Sequence, residues 1–172
     1  ADDPLMIGKN LLGHPVKGSI IDIGSAATRR AILGIGSNEA RKRLAESLDL
    51  EWVTVVHPSA VVDAEATLGA GTVVLACAVV EIGVEIGSHV IINTLSSAHH
   101  NCFVGDYVQV AEATVSAYSI VEEGVLVGTR STVLHRVRVG AWSTVAAAAL
   151  VTRDVAPNDT VMGIPARSIL RE

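Results

Sequence analysis

The residues of this chain with the most chemistry in them are six histidines (His14, His57, His89, His99, His100 and His135) and two cysteines, Cys77 and Cys102. An imidazole, with a reference pKa of about 6.5, can take or give a proton near neutral pH, or bind a metal through its lone pair. Two of the six are adjacent, His99-His100, and Asn101 follows with an amide oxygen that can accept a hydrogen bond from a ring N–H. His14, His57 and His89 have no functional spacing and are expected at the surface or in caps. The cysteines lie 25 positions apart, and one pair at most builds no secreted-protein framework. Both read as small reduced hydrophobes in a cytoplasmic protein. Arg130, Arg136, Arg138 and Arg153 form a late basic cluster, expected on solvated corners, with phosphate pairing as the alternative.

Composition excludes several classes. The chain has 172 residues, with 13 Lys+Arg against 18 Asp+Glu and a net charge of −5. No basic run is dense enough to follow a phosphate backbone, so nucleic acid is not an expected partner. The longest uninterrupted apolar stretch, residues 73–80, is too short to span a bilayer. No secretory or transit-type segment is read at the opening. Aromatic residues make up only 3% of a chain that is 49% apolar, so the core that must hold these side chains is too narrow for large rings.

That narrow core has a rhythm. An aliphatic residue recurs at every sixth position from Val62 through Val110 and, after a single five-residue step, from Val115 through Val151. Two residues before each stands a small one, such as Ala60, Thr72, Ala78, Ser96, Cys102 or Ser119, and never a charged, aromatic or long one. A period of six fits neither a helix at 3.6 nor a lone strand at 2. It fits a chain that turns a corner every six residues, so that three short strands close one triangular coil of 18. The expected fold is therefore mainly β, a parallel β-helix of about five coils rising about 4.8 Å each. Gly69, Gly87, Gly105, Gly128 and Gly140 follow the aliphatic residue and are expected to turn the corners at positive φ. The five-residue step predicts one tighter corner and a local register of 17.

Ahead of the coils, residues 31–36 read as a strand closing on glycine. Ser37-Asn38 form an N-cap pair, 39–48 an amphipathic helix, and 51–56 a second strand leading through His57-Pro58 into the repeats. This reads as a partial Rossmann-like α/β nucleotide-sugar-binding domain over 1–56, although no first strand is read in the loop-rich opening. The β-helix is expected over 57–155. A tail over 156–172 would cap the open end of the prism.

Asn93-Thr94, His100, Cys102-Phe103-Val104-Gly105-Asp106, residues 151–155 and Gly163-Ile164-Pro165-Ala166-Arg167 together resemble the hexapeptide-repeat acyltransferases of the sialic acid O-acetyltransferase (NeuD) type, which include nucleotide-sugar N-acetyltransferases. The resemblance implies a left-handed β-helix, a homotrimer, and acetyl-CoA in the groove between neighbouring prisms. It makes His100 the general base that accepts a proton as a sugar amine or hydroxyl attacks the thioester, with no metal and no covalent enzyme intermediate. Where the family flanks that base with a carboxylate, His99 and Asn101 stand here. Glu81, 18 positions before His99, is expected to reach the pair from the coil above. Gln109 stands where the family often has a second histidine touching the donor, and Ala117 and Ala147 where glycines admit CoA. Gly128 and Arg153 are assigned to the same donor groove. Asp2, Asp3, Gly36, Ser37 and Asn38 match the acceptor-binding positions. The rival functions are a sugar O-acetyltransferase, a non-catalytic trimeric binding scaffold, and a zinc lyase of the γ carbonic anhydrase kind. For the zinc lyase, His100 and His135, some 10 Å apart within one prism, are too distant to share a metal unless a neighbouring subunit completes the site.

Overall fold

A computed structural model describes residues 4–20, 23 and 29–169. The six-residue rhythm becomes a three-faced parallel β-helix whose sheets hold eight, six and five strands. The eighth strand of the largest is Arg167–Ser168, which folds back antiparallel onto the last rung. Each rung is two residues long, apart from the three-residue Thr160–Met162, and its second residue points inward: Val74, Ile92, Val104, Val110, Val115 and Val127 are wholly buried. The small slot is inside too, with Thr72, Ala78, Ser96, Cys102 and Ser119 sealed from solvent. At about 1.5–3 kcal/mol per fully buried aliphatic side chain, this file of valines and isoleucines is the main stabilising term.

The three edges where the chain turns place the remaining residues. Edge I runs through 75–78, 93–96, 111–113, 128–131 and 146–149. Edge II runs through 81–84, 99–102, 116–119 and 134–137, and edge III through 69–72, 87–90, 105–108, 122–125 and 140–143. The five-residue step produces its expected shortened coil: Ser97 pairs with Thr114 and Phe103 with Ile120, 17 positions on, whereas Thr114 pairs with Thr132 at 18.

Three expectations are corrected. The longest face stacks seven rungs rather than five, because Val55–Val56 already pairs with Val73-Val74 and Thr160–Met162 with Thr144-Val145. The hidden rung at the end follows a four-residue step to Val155, which bridges to Val139 and restores the rhythm. So residues 160–162 belong to the coil and not to a separate tail.

The corner glycines are also used differently. At most corners positive φ falls three positions after the inward aliphatic residue, and two at the shortened corner (Glu112, 51°); it is carried mostly by non-glycine residues, such as Cys77 (57°), Asn101 (59°) and Trp142 (58°). Gly69 and Gly105 are glycine because the neighbouring coil passes too close: a Cβ on Gly69 would lie 2.4 Å from the Gly87 carbonyl carbon, and one on Gly105 2.8 Å from the Glu123 nitrogen.

Finally, the N-terminal strands shrink to Arg30–Ala31 and Glu51–Trp52, a parallel pair crossed by helix α1 (Asn38–Ser47). This is a smaller unit than the Rossmann-like domain expected, since Val55-Val56 was drawn into the first rung.

Helix α1 starts as its sequence dictates. Ser37 sits at φ −69°, ψ 120°, and its hydroxyl accepts from the Ala40 N–H at 3.2 Å. The helix is pinned to edge III by Arg41, which is 1% exposed. Arg41 Nε donates to the His89 carbonyl at 2.7 Å, and its other nitrogens donate to the carbonyls of Tyr107 (2.6 Å) and Ile35 (2.8 Å) and to Asn38 Oδ1 (2.9 Å). Burial pushes its pKa down to about 10, which still leaves it charged, with carbonyl dipoles in place of a carboxylate. Among these partners His89 departs from the surface role expected. It is buried, perpendicular to Trp52 at 4.9 Å and stacked on Tyr107 at 5.4 Å.

Gly69→Ala should lower the urea midpoint by an amount equivalent to about 1–3 kcal/mol, while Gly34→Ala, where a Cβ meets nothing within 4 Å, should leave it unchanged. Burial, and secondarily the Arg41 charge, lower the pKa of His89 from 6.5. The unfolded chain therefore binds more protons below that pH, and stability falls on acidification from about 6.5 downward. Thermal midpoints at about pH 7.5 and 5.5 should show a smaller drop for His89→Phe than for the wild type.

Candidate active site

His100 stands on edge II in the middle of the stack. Its backbone N–H donates to Glu81 Oε2 at 2.8 Å, so the carboxylate expected to reach the ring from the coil above instead anchors the main chain beneath it. The ring has a different partner: His100 Nδ1 lies 3.2 Å from Asn101 Oδ1. An amide oxygen can only accept, so this contact puts the ring proton on Nδ1 and leaves the lone pair on Nε2. Asn101 takes its place through its left-handed backbone, φ 59°, and through Gly83 above it, where a Cβ would lie 2.7 Å from the Asn101 amide nitrogen. Beside His100 opens a cleft of about 290 Å3 with Val61, Val79 and Ile82 on its walls and Asp63 and Glu81 at its rim.

His99 is held in line by backbone bonds, its N–H to the Val115 carbonyl at 2.9 Å and its own carbonyl to the Cys102 N–H at 3.2 Å. Burial pushes the Cys102 thiol up to about 12, so it is a neutral core residue with no nucleophilic role.

The remaining candidates are spread over the prism. Ala117 lies one coil below His100 on the same edge, where its carbonyl accepts from the Arg136 N–H at 3.2 Å. Gly128 and Ala147 are on edge I, on successive coils, and a Cβ at Gly128 would sit 2.8 Å from the Ala147 nitrogen. Gln109 lies on the face between edges III and I. There it shares a cleft of about 160 Å3 with Gly36, Ser37, Asn38, Glu39 and Trp142. Asn38 itself is buried, and its amide donates to the Gly124 carbonyl at 3.0 Å, so this candidate for substrate contact serves instead to dock α1. Arg153 lies past the last turn of edge II, in a cleft of about 390 Å3 with Asp154, Asp159 and Arg167. Asp2 and Asp3 fall outside the described residues. The basic cluster disperses: Arg130 is on edge I, Arg136 on edge II over the Tyr118 ring, and Arg138 on a face, paired with Glu122.

Two neighbours of His100 escape a residue-by-residue reading. Gly83 makes room for the Asn101 amide, and Tyr118 lies perpendicular to the imidazole at 5.2 Å between centroids. The signal for both is the coil register, since Gly83 is 18 positions before Asn101 and Tyr118 is 17 after it. Among the described residues no three His, Cys, Asp or Glu side chains are grouped to hold a metal, and no helix is long and apolar enough to cross a membrane.

The molecule is thus a hexapeptide-type parallel β-helix with an oriented imidazole, His100, on its flank. No protein-family model matches the chain. Its homologues include hexapeptide-repeat nucleotide-sugar N-acetyltransferases. The acetyltransferase domain of PglB from Neisseria gonorrhoeae FA1090, solved in complex with acetyl coenzyme A, superposes with a TM-score of 0.91 at 29% identity, covering 97% of this chain and 84% of that one. PerB from Caulobacter crescentus, in complex with CoA and GDP-perosamine, gives 0.89 at 28% identity, covering 92% and 80%. The GDP-perosamine N-acetyltransferase of Escherichia coli O157:H7 is 27% identical over 179 residues, which covers 98% of this chain and 81% of the relative. By contrast, the chain spans only about a third of the serine acetyltransferase relatives it matches: 32% of one from Schizosaccharomyces pombe and 38% of one from Arabidopsis thaliana.

If the Asn101 amide selects the ring tautomer, Asn101→Ala should raise the share of the Nε2–H form of His100. Nitrogen-15 NMR of histidine-labelled protein reads this directly, and an unchanged Nδ1–H signal would contradict the assignment.

Proposed function

We propose that this chain is an acetyl-CoA-dependent acetyltransferase acting on the amine of a nucleotide-linked amino sugar, with His100 as general base. One observation carries the reading: on a fold that superposes on CoA-bound N-acetyltransferases, the edge II imidazole keeps Nδ1 engaged by Asn101 and Nε2 free. The acceptor nitrogen attacks the thioester carbonyl carbon and a C–N bond forms. Nε2 takes the proton that the nitrogen must lose. The tetrahedral oxyanion is met by backbone N–H groups at the corners. As it collapses the C–S bond breaks, and the CoA thiolate takes the proton from the imidazolium, giving amide, free thiol and the starting base. No enzyme nucleophile is required, in keeping with the buried, neutral Cys102.

We further propose that the coil is left-handed and that the chain works as a cytoplasmic homotrimer with the donor between neighbouring prisms. The positions of Ala117 on edge II, and of Gly128 and Ala147 on edge I, support such a groove, because apposed prisms bring different edges together. Gln109 and Arg153 would then meet the donor's pantetheine and phosphate ends. Gly36 and Ser37, exposed at the start of α1, with Asp2 and Asp3, would receive the nucleotide sugar. In this reading 1–56 serves the acceptor, 57–155 the transfer, and 156–172 the end of the prism.

CoA release measured across UDP- and GDP-linked amino sugars tests the assignment. His100→Ala should lower kcat by about 10²–10⁴-fold with the thermal midpoint preserved. Equal turnover by the two proteins would overturn the role of His100. Faster release with a hydroxyl sugar than with its amino analogue would overturn N-acylation.

A further inference from the structure

We infer that Tyr118 is a positioning residue for His100: its ring holds the imidazole in the plane that aims Nε2 outward from edge II. This rests on the reading of His100 as the base. None of the roles assigned above uses Tyr118.

One hydrogen bond fixes only part of a ring's orientation. The second side-chain torsion of histidine is a broad, two-fold rotation. The Asn101 contact at 3.2 Å restrains one ring nitrogen but leaves the ring able to swing about that contact. A second restraint on another part of the ring is needed to define a plane. Tyr118 supplies it, perpendicular to the imidazole at 89° and with the centroids 5.2 Å apart, the favoured edge-to-face geometry for two aromatic rings.

Backbone geometry makes this contact a consequence of the stack. Gly83, Asn101, Tyr118 and Arg136 occupy the same vertex of four successive coils, all with left-handed backbones: φ 66°, 59°, 59° and 60°. That conformation turns each side chain out along the edge. The vertex column therefore reads, from one coil to the next, no side chain, amide, phenol, guanidinium. The Tyr118 N–H donates to the His100 carbonyl at 3.3 Å, tying the two residues across one coil step. Arg136 closes the column, with its guanidinium 5.7 Å from the Tyr118 ring centre, and holds the phenol from below. Tyr118 is 51% exposed, so burial alone does not explain a large aromatic at this vertex in a chain that has so few.

Substituting the ring and keeping it separate this role from a merely structural one. Tyr118→Leu should lower kcat by about 5- to 10-fold at saturating acetyl-CoA and amino sugar, with both KM values within about 2-fold of wild type. Tyr118→Phe, which keeps the ring and loses the hydroxyl, should restore wild-type kcat. Proton NMR supplies a readout independent of turnover. The His100 ring protons should carry a ring-current shift in the wild type and Tyr118→Phe that disappears in Tyr118→Leu, with the thermal midpoint of each variant measured in parallel. If Tyr118→Leu does not fold, Tyr118→Met, a flexible hydrophobe of similar reach, takes its place with the same expectations. Wild-type kcat without the ring, a Phe variant as slow as Leu, or ring-proton shifts that ignore residue 118 would each overturn the inference. His100→Ala is assayed alongside: full activity there removes the base itself, whereas a dead His100→Ala beside an unaffected Tyr118→Leu removes only the positioning role.

Discussion

The structure depends on one constraint: every coil must satisfy its backbone N–H and C=O groups against the coils next to it. The rungs are only two or three residues long, so neither local propensity nor a long strand holds them. What holds them is repetition. The Val73 N–H donates to the Val90 carbonyl and that of Ile91 to the Val108 carbonyl, and the same ladder climbs the face. A chain bound by that ladder can turn only at fixed intervals. Most turns place a residue in the left-handed region, and several need a neighbour small enough for the next coil to pass. The interior left over admits valine, isoleucine and little else.

Stacking also converts sequence spacing into columns, and the protein uses two of them for different ends. On edge III the column contains Gly71, His89, Tyr107, Gly124 and Trp142. Each glycine leaves room for the ring on the next coil, with a Cβ at Gly71 falling 2.5 Å from His89 Nδ1 and one at Gly124 falling 2.4 Å from the Trp142 ring. The carbonyls of that column receive Arg41 and Asn38, so edge III works as a dock for α1. On edge II the equivalent column is Gly83, Asn101, Tyr118 and Arg136, and nothing of α1 covers it. The vertex that buries an imidazole at position 89 carries Asn101 on edge II, and the half-exposed His100 stands one residue before it.

Register breaks decide which residues share a column. The corner at 111–113 is one residue short, so Asn101 stands over Tyr118, whereas counting by 18 would place Ser119 beneath it. The second break, the four-residue step to Val155, lets one more rung form at 160–162 and closes the prism with the Arg167–Ser168 hairpin strand. Both breaks fall at corners, where a missing residue tightens a turn without interrupting the ladder.

The sequence alone determined the coil, its narrow aliphatic core, the shortened corner and the pairing of His100 with Asn101, because each of these depends on a period or on adjacency along the chain. It also located the start of α1, where Ser37 caps locally. It misjudged what depends on the next coil: the glycines that face a neighbouring backbone rather than a strained φ, the burial of His89, the docking role of Asn38, and the attachment of Glu81 to a main-chain N–H instead of a ring. Only the tertiary structure settled these, because a contact across 17 or 18 residues is fixed by how coils stack, and an error of one position in register exchanges one set of partners for another.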